Sequence, residues 1–490
     1  MKAFLKRALA MLFVLCLLLG AVACTKDDNS VESNTGNVGN TAGDGEFVYA
    51  DAAPDRDYGG AEFRILCTMQ TQQFFDESSH IDAVKSAVVK RNQLVSNLFN
   101  IQIKYTAEDG NGANEVGFAA SVRNACLAGS SDDTYDLVIP QTYYGVALGI
   151  EGLYYDFNDS EYLMRDKEWY YESINEQCEI EDQTYFLATT FLMDKTTAAE
   201  VVYYNVDLGE EHGIDEEEIY DEVIAGTWTV DKLQTYAANA AGNENIKGVV
   251  SSSHGIRGMM IGCDTPFAEK DRDGKYQITY YNNHLVDVFD KVFSFFNKNE
   301  YVEAKDLDMN LDMFPDGDTI FAITYVHSML ESNNIDSAVD FTILPMPKFS
   351  EEQENYITDV QRWELVSVPA PADAERACIV LDALSYYNNE ELMPVYWESL
   401  LGVRFARNDK ASKIVDMIRN SIYYDFTAVF QIETKKIYAG SAGMPNAATL
   451  ILNGQNELAS WWGQYGPMFP ELVEALRLKY SELAQAKANQ

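Results

Sequence analysis

Within five consecutive residues, Asp359, Gln361, Arg362 and Trp363 gather an acid, a planar amide, a guanidinium and an indole. That set suits a small polyhydroxylated ring: the planar polar groups exchange paired hydrogen bonds with adjacent hydroxyls, and the indole covers a flat C–H face. Two other stretches have similar composition, Gln70-Thr71-Gln72 and Gln141-Thr142-Tyr143-Tyr144. Catalytic constellations are not apparent in the sequence. The histidines His80, His212, His254, His284 and His327 are scattered, without an HExxH spacing, and no GxSxG elbow, P-loop or strand-linked GxGxxG occurs. Asp271-Arg272-Asp273-Gly274 starts like a calcium loop but lacks the later ligands, so a turn between two strands is expected there. We therefore assign no catalytic residue, metal or cofactor. A carboxylate pair of the glycosidase kind could still hide among so many acids, so a surface glycoside-active enzyme stays open as an alternative.

The elements that must carry those residues follow from hydrophobic spacing. A short β-rich run over Tyr58–Cys67 precedes the helical pattern Ile81, Val84, Val88, Leu94, Val95, Leu98, Phe99. Ile101, Ile103 and Tyr105 then alternate as a strand, a helix is expected near Val116–Leu127, and the apolar run over residues 135–140 suits a covered parallel strand. This is α/β grammar, in which ligands gather beyond the carboxyl ends of strands. Residues 68–73 and 141–145 occupy those ends. The 77 acidic against 36 basic side chains give a net charge of −41, which argues against a nucleic-acid partner. Cys67, Cys126, Cys178, Cys263 and Cys378 have no metal-ligand spacing and read as small buried apolar side chains. Trp228 heads a helix capped by Thr229 and is expected in the core, and each pair of adjacent tyrosines is expected to send one ring inward and one to water.

At the amino terminus Lys2, Lys6 and Arg7 precede the apolar run Ala8–Ala23, which is shorter than the roughly 20 residues of a membrane span and reads as a secretory signal. Ala21-Val22-Ala23-Cys24 resembles a bacterial lipobox, implying a cleaved signal at 1–23 and lipid on Cys24. The aperiodic Asn/Gly/Ser/Thr-rich stretch that follows reads as a flexible tether over 24–57. Such a chain would sit on the extracellular face of the cytoplasmic membrane.

The segments YGGAEFRIL, AVVKRNQLVSNLFNIQI and YDLVIPQTYYGVALGIEGLYYDFND resemble the opening lobe of family 1 extracellular solute-binding proteins, the lipoprotein receptors of ATP-driven (ABC) sugar importers. TTAAEVVYYNVDLGEEHGI, GTWTVDKLQTYA, FAITYVHSML and VDFTILPMPKF continue the resemblance in order, over about residues 58–480. It implies a two-lobed α/β fold of the type II periplasmic-binding-protein kind, with lobes 58–190 plus 322–358 and 191–321 plus 359–490 and a ligand cleft between them. It further implies a monomer that captures a mono- or oligosaccharide and hands it to importer membrane subunits. A carbohydrate-tethering lipoprotein without a transporter is the other alternative. By position in the family pattern, the implied ligand-binding set is Gln70, Gln72, Gln141, Tyr143, Tyr144, Asp194, Arg257, Tyr325, Asp359, Gln361, Arg362, Trp363 and Trp462.

Overall fold

The computed structural model describes residues 47–79, 81–110, 115–129, 134–242, 245–298, 300–305, 314–329, 339–360, 364–430 and 444–489. The signal segment, Cys24 and the Gln361-Arg362-Trp363 cluster lie outside the described residues, and Tyr143 and Tyr144 are described for their backbone only.

Strands β1 (Ala61–Thr68), β2 (Ile101–Glu108) and β3 (Leu137–Val138) form a parallel sheet in the order β2-β1-β3. Helix α1 (Asp82–Phe99) links the first two and buries Val84, Ala87, Val88, Val95 and Phe99 along one stripe. Asn100 ends α1 in the left-handed region at φ 49°, which turns the chain directly into β2. β1 and β2 pair from Ala61 with Ile101 to Thr68 with Glu108. Helix α2 (Glu115–Cys126) leads on to β3. Phe63, Ile65 and Cys67 of β1 share a core with Val366, Val368 and helix α5 (Ala374–Tyr387).

A second sheet, in the order β10-β4-β9-β5-β8, comprises β4 (Glu200–Asn205), β5 (Lys247–Ser252), β8 (Val302–Lys305), β9 (Thr319–Tyr325) and β10 (Phe341–Leu344). β4 runs antiparallel to both neighbours, whereas β5 is parallel to β9 and β8. Between β5 and β8, β6 (Ala268–Lys270) and β7 (Tyr276–Ile278) form a hairpin. Asp271 closes its turn by accepting the amides of Asp273 and Lys275 at 2.9 and 3.0 Å, as expected for Asp271–Gly274. Trp228 is fully buried, with its Nε1 donating to the Pro345 carbonyl at 2.9 Å, and Thr229 caps the following helix.

The chain passes from one sheet to the other more than once. Leu187 bridges Val366, and Val138 bridges Ser367, on the first sheet's side; Ala199 bridges Val360 at the head of β4. The short strands β11 (Thr358–Asp359) and β12 (Ile422–Tyr423) pair in parallel beside this crossing. Pairing therefore corrects the expected lobe boundaries. β9, which straddles the expected boundary at 322, and β10, within 322–358, both belong to the sheet of β4, because β4 lies between them. Residues 364–387, expected with the second lobe, pack on β1 instead.

Three further expectations are revised. The tether does not extend to residue 57: Tyr49 is buried, stacked on Tyr386 at 4.8 Å, and its hydroxyl donates to Asp382 at 2.8 Å. Tyr203 and Tyr204 are both buried, because each hydroxyl reaches a carbonyl inside the core, of Val326 and Ile214 respectively. The run over residues 135–140 is a strand only at Leu137–Val138, with Asp136 at its head accepting the Arg64 amide through its side chain. The five cysteines are buried and unpaired, and burial pushes their thiols up to about 12, which keeps them protonated and inert at neutral pH.

Asp382, on α5, is a fully buried carboxylate that accepts from Tyr49, Tyr170, Trp169 and the Met164 amide. Desolvation outweighs these donors and raises its carboxyl above the ordinary range. A raised folded value means its contribution to stability is full below the unfolded carboxylate range and falls as pH climbs through the folded value. The urea-unfolding free-energy advantage of the wild type over Asp382→Asn should therefore narrow as pH rises from about 4. An advantage that widens over that interval would contradict this assignment.

Candidate functional site

The carboxyl ends of β1, β3, β5 and β9 carry the polar residues singled out above. After β3, Gln141 leads into helix α3 (Thr142–Ile150), and its Nε2 donates to Glu364 Oε1 at 3.4 Å. After β5, Ser252 caps helix α4 (Ser253–Gly262) by accepting the amides of His254 and Gly255. This cap places His254 and Arg257 at the head of α4. At the end of β9, Tyr325 hydrogen-bonds His254 Nδ1 and lies parallel to His327, ring centroids 5.1 Å apart. His327 in turn contacts the Thr197 carbonyl at 2.7 Å.

Beneath this half-buried rim lies a set of ionisable groups shut off from water. Asp194, Lys195, Glu200, Arg257, Asp359 and Glu364 are all buried. Lys195 Nζ donates to Asp194 Oδ2 and to the Tyr424 hydroxyl, both at 2.7 Å, and Arg257 pairs with Asp359. Burial first, and then the charges of Asp194, Glu364 and Asp359, push the Tyr424 hydroxyl well above its ordinary range. Asp359 pairs with Tyr423 across β11 and β12, which sets the Arg257–Asp359 pair beside Tyr424 and hence beside Lys195 and Asp194. Glu200 sits against Gly258, where an added Cβ would lie 3.1 Å from the Glu200 stem and would press it back by a few tenths of an ångström, so glycine eases the close approach of α4 to β4.

Of the expected set, Asp194, Arg257, Asp359, Gln141 and Tyr325 come together at these strand ends and crossings. Gln70 and Gln72 follow β1 and are held locally, by Asp109 at 3.3 Å and Asp76 at 2.7 Å. Trp462 instead joins an aromatic cluster, stacked on Tyr281 at 5.3 Å and on Phe469 at 5.7 Å. Lys195, Glu200, Glu364 and Tyr424 were not in the expected set. Glu200 was detectable as a charge opening the apolar run EVVYYN; Tyr424 gave no signal, because its role depends on a fold-back of distant chain. At these strand ends, two buried acceptor atoms of described residues have no protein donor: Gln70 Oε1 and Glu364 Oε2.

A cavity of about 750 Å³ opens beside β11 and β12, where Ile357 and Tyr423 line it together with the helix Glu172–Cys178 and residues of 261–270. Of its acids, Glu172, Glu176, Asp264 and Glu269 are exposed and Glu179 is half-buried, and none of the expected ligand-binding residues lines it. Volume alone does not select a site, and the strand ends, with their buried and incompletely satisfied groups, are the stronger candidate.

This architecture is the two-lobed α/β fold of extracellular solute-binding proteins. The GacH receptor of Streptomyces glaucescens, solved unliganded and with acarbose, matches at 12% identity and a TM-score of 0.54, over 85% of this chain and 99% of that one. UgpB of Mycobacterium tuberculosis, in complex with glycerophosphocholine, matches at 13% identity and 0.54, over 86% and 99%. Maltose-bound MalE3 of T. maritima matches at 10% and 0.52, over 86% and 100%. No protein-family model and no curated protein matches the sequence.

Removing one partner of a buried ion pair strands the other, at about 3–5 kcal/mol. Arg257→Met is expected to lower the urea-unfolding free energy by about that amount, and Arg257→Met with Asp359→Leu to recover part of it. A loss below about 1 kcal/mol for the single variant would show the pair to be dispensable.

Proposed function

We propose that this chain is a lipid-anchored extracellular receptor that captures a mono- or oligosaccharide between two lobes and delivers it to an ABC importer. In this reading one lobe is built on the β2-β1-β3 sheet together with residues 364–387, and the other on the five-stranded sheet. The observation that carries it is the pair of buried acceptors without protein donors, Gln70 Oε1 and Glu364 Oε2, on segments that follow or flank the adjacent strands β1 and β3. A buried acceptor left unpaired costs about 1–3 kcal/mol, so a solute offering hydroxyl donors would gain what the empty protein lacks. The stacked Tyr325 and His327 rings and the carboxamide of Gln141 add an aromatic face and a planar donor.

The fold shared with the acarbose- and maltose-bound proteins supports a binding role rather than catalysis. Gln361, Arg362 and Trp363 immediately precede Glu364 in sequence, and we assign them to the same solute contact. Binding needs no chemistry, only a solute that prefers the closed form. Lipid on Cys24 would hold the receptor beside its transporter.

Two measurements test this. In a thermal-shift panel of maltose, maltotetraose, glycerophosphocholine and free amino acids, at least one saccharide should raise Tm, by an increment equivalent to about 2.7 kcal/mol at a hundredfold excess over Kd. A panel in which only the amino acids stabilise would exclude the saccharide assignment. Arg362→Ala and Trp363→Ala should weaken that saccharide's binding about tenfold or more with Tm nearly unchanged; variants that unfold but bind normally would place both residues in the core.

A further inference from the structure

Arg91, on α1, is fully buried, and no carboxylate is among its hydrogen-bond partners. Its five N–H groups are nonetheless all taken. Nη1 donates to the Phe74 carbonyl at 2.8 Å and to Asn388 Oδ1 at 2.6 Å; Nη2 donates to the Phe75 carbonyl at 3.2 Å and to Asn92 Oδ1 at 2.9 Å; Nε reaches the same Asn92 oxygen at 3.2 Å. The guanidinium also lies 5.2 Å over the Phe191 ring. A lone buried cation is expensive, and a fold keeps one where its fixed fork does something a neutral side chain cannot.

What the fork joins is informative. Phe74 and Phe75 end the loop that follows β1 and carries Gln70 and Gln72. Asn388 opens a π-helical turn, Asn388–Leu392, directly after α5, and its Nδ2 donates to the Thr190 carbonyl at 2.6 Å. Thr190 lies on the first crossing, a few residues before Asp194 and Lys195, and its own hydroxyl donates to the Ser385 carbonyl at 2.6 Å. Phe75 packs on Phe191 at 4.9 Å, closing the same circuit through rings. A short π segment inside a helix register costs helical hydrogen bonding and re-aims the residues it contains. Here it turns one carboxamide so that its oxygen meets Arg91 and its nitrogen meets the crossing.

We propose that Arg91 and Asn388 are positioning residues for solute capture: their hydrogen-bond relay holds the Gln70–Phe75 loop in fixed relation to the crossing at Thr190. The inference rests on the receptor reading for its consequence and on the relay geometry for its mechanism. It makes the loop's placement depend on the segment that leads to the buried ion cluster, so loosening either end loosens the other.

Asn388→Asp separates wiring from packing. It keeps size and keeps an oxygen for Arg91, but it replaces the donor to Thr190 with an acceptor. Val292→Ala, a buried truncation on the helix Asn283–Lys298, serves as a stability-matched control outside the relay. In amide hydrogen exchange without solute, Asn388→Asp should speed exchange at least tenfold both in peptides spanning 69–76 and in peptides spanning 188–198, and Val292→Ala in neither. Calorimetry with maltotetraose should show a Kd at least tenfold weaker for Asn388→Asp and unchanged for Val292→Ala. Faster exchange at 188–198 alone, or a Kd no weaker than that of the control, overturns the proposal. A wild-type chain that binds no saccharide would sink the receptor reading instead, and the exchange pattern would still decide the relay.

Discussion

Polar backbone and charged side chains carried between two sheets must find partners away from water, and much of this protein's organisation answers that demand. The chain leaves the first sheet near Leu187, enters the second at Glu200 and returns past Val360. Along those crossings it buries Asp194, Lys195, Glu200, Asp359 and Glu364, with Arg257 reaching in from α4. Ionised groups in such a place are tolerated only when paired or hydrogen-bonded. Of the pairs that result, Lys195 with Tyr424 and Arg257 with Asp359 bind segments far apart in sequence, while Asp194 offsets the Lys195 charge from the neighbouring position.

The strand ends inherit their chemistry from this arrangement. Because β1, β3, β5 and β9 finish beside the crossings, the loops that follow them can share one polar floor. The cap at Ser252 aims α4 at that floor, and Gly258 lets α4 approach β4. On the other side, Arg91, itself held by Asn388, grips the loop after β1 by the Phe74 and Phe75 carbonyls, and the Phe75 ring packs on Phe191. The Gln70 and Gln72 side chains of that loop make only local carboxylate contacts, with Asp109 and Asp76.

Local order was legible in the sequence and long-range order was not. The β1-α1-β2 unit was readable because its apolar spacing is clean and because Asn100 can adopt the left-handed turn between helix and strand. Trp228 was readable as core from its place at a capped helix start. The lobe boundaries were misplaced because β9 and β10 look alike whichever sheet they join, and only pairing with β4 decides. Tyr49 read as tether because its partners, Trp169, Tyr386 and Asp382, are more than a hundred residues away. Of the site, the residues at strand ends could be found from composition and spacing. Tyr424 and Glu364 could not, since nothing near them in sequence announces the acids they meet.

The central claim is that solute binding draws two lobes together about these crossings, and a distance across them tests it most directly. Gln102 on β2 and Lys305 on β8 are exposed strand residues, and the body cysteines are buried, so Gln102→Cys/Lys305→Cys can be labelled selectively with spin probes. Pulsed electron–electron distance measurement should give a broad distribution for the empty protein. With a saccharide that raises Tm, the distribution should become narrower and shorter by several ångströms. An unchanged distribution in the presence of every solute that stabilises the protein would contradict the account.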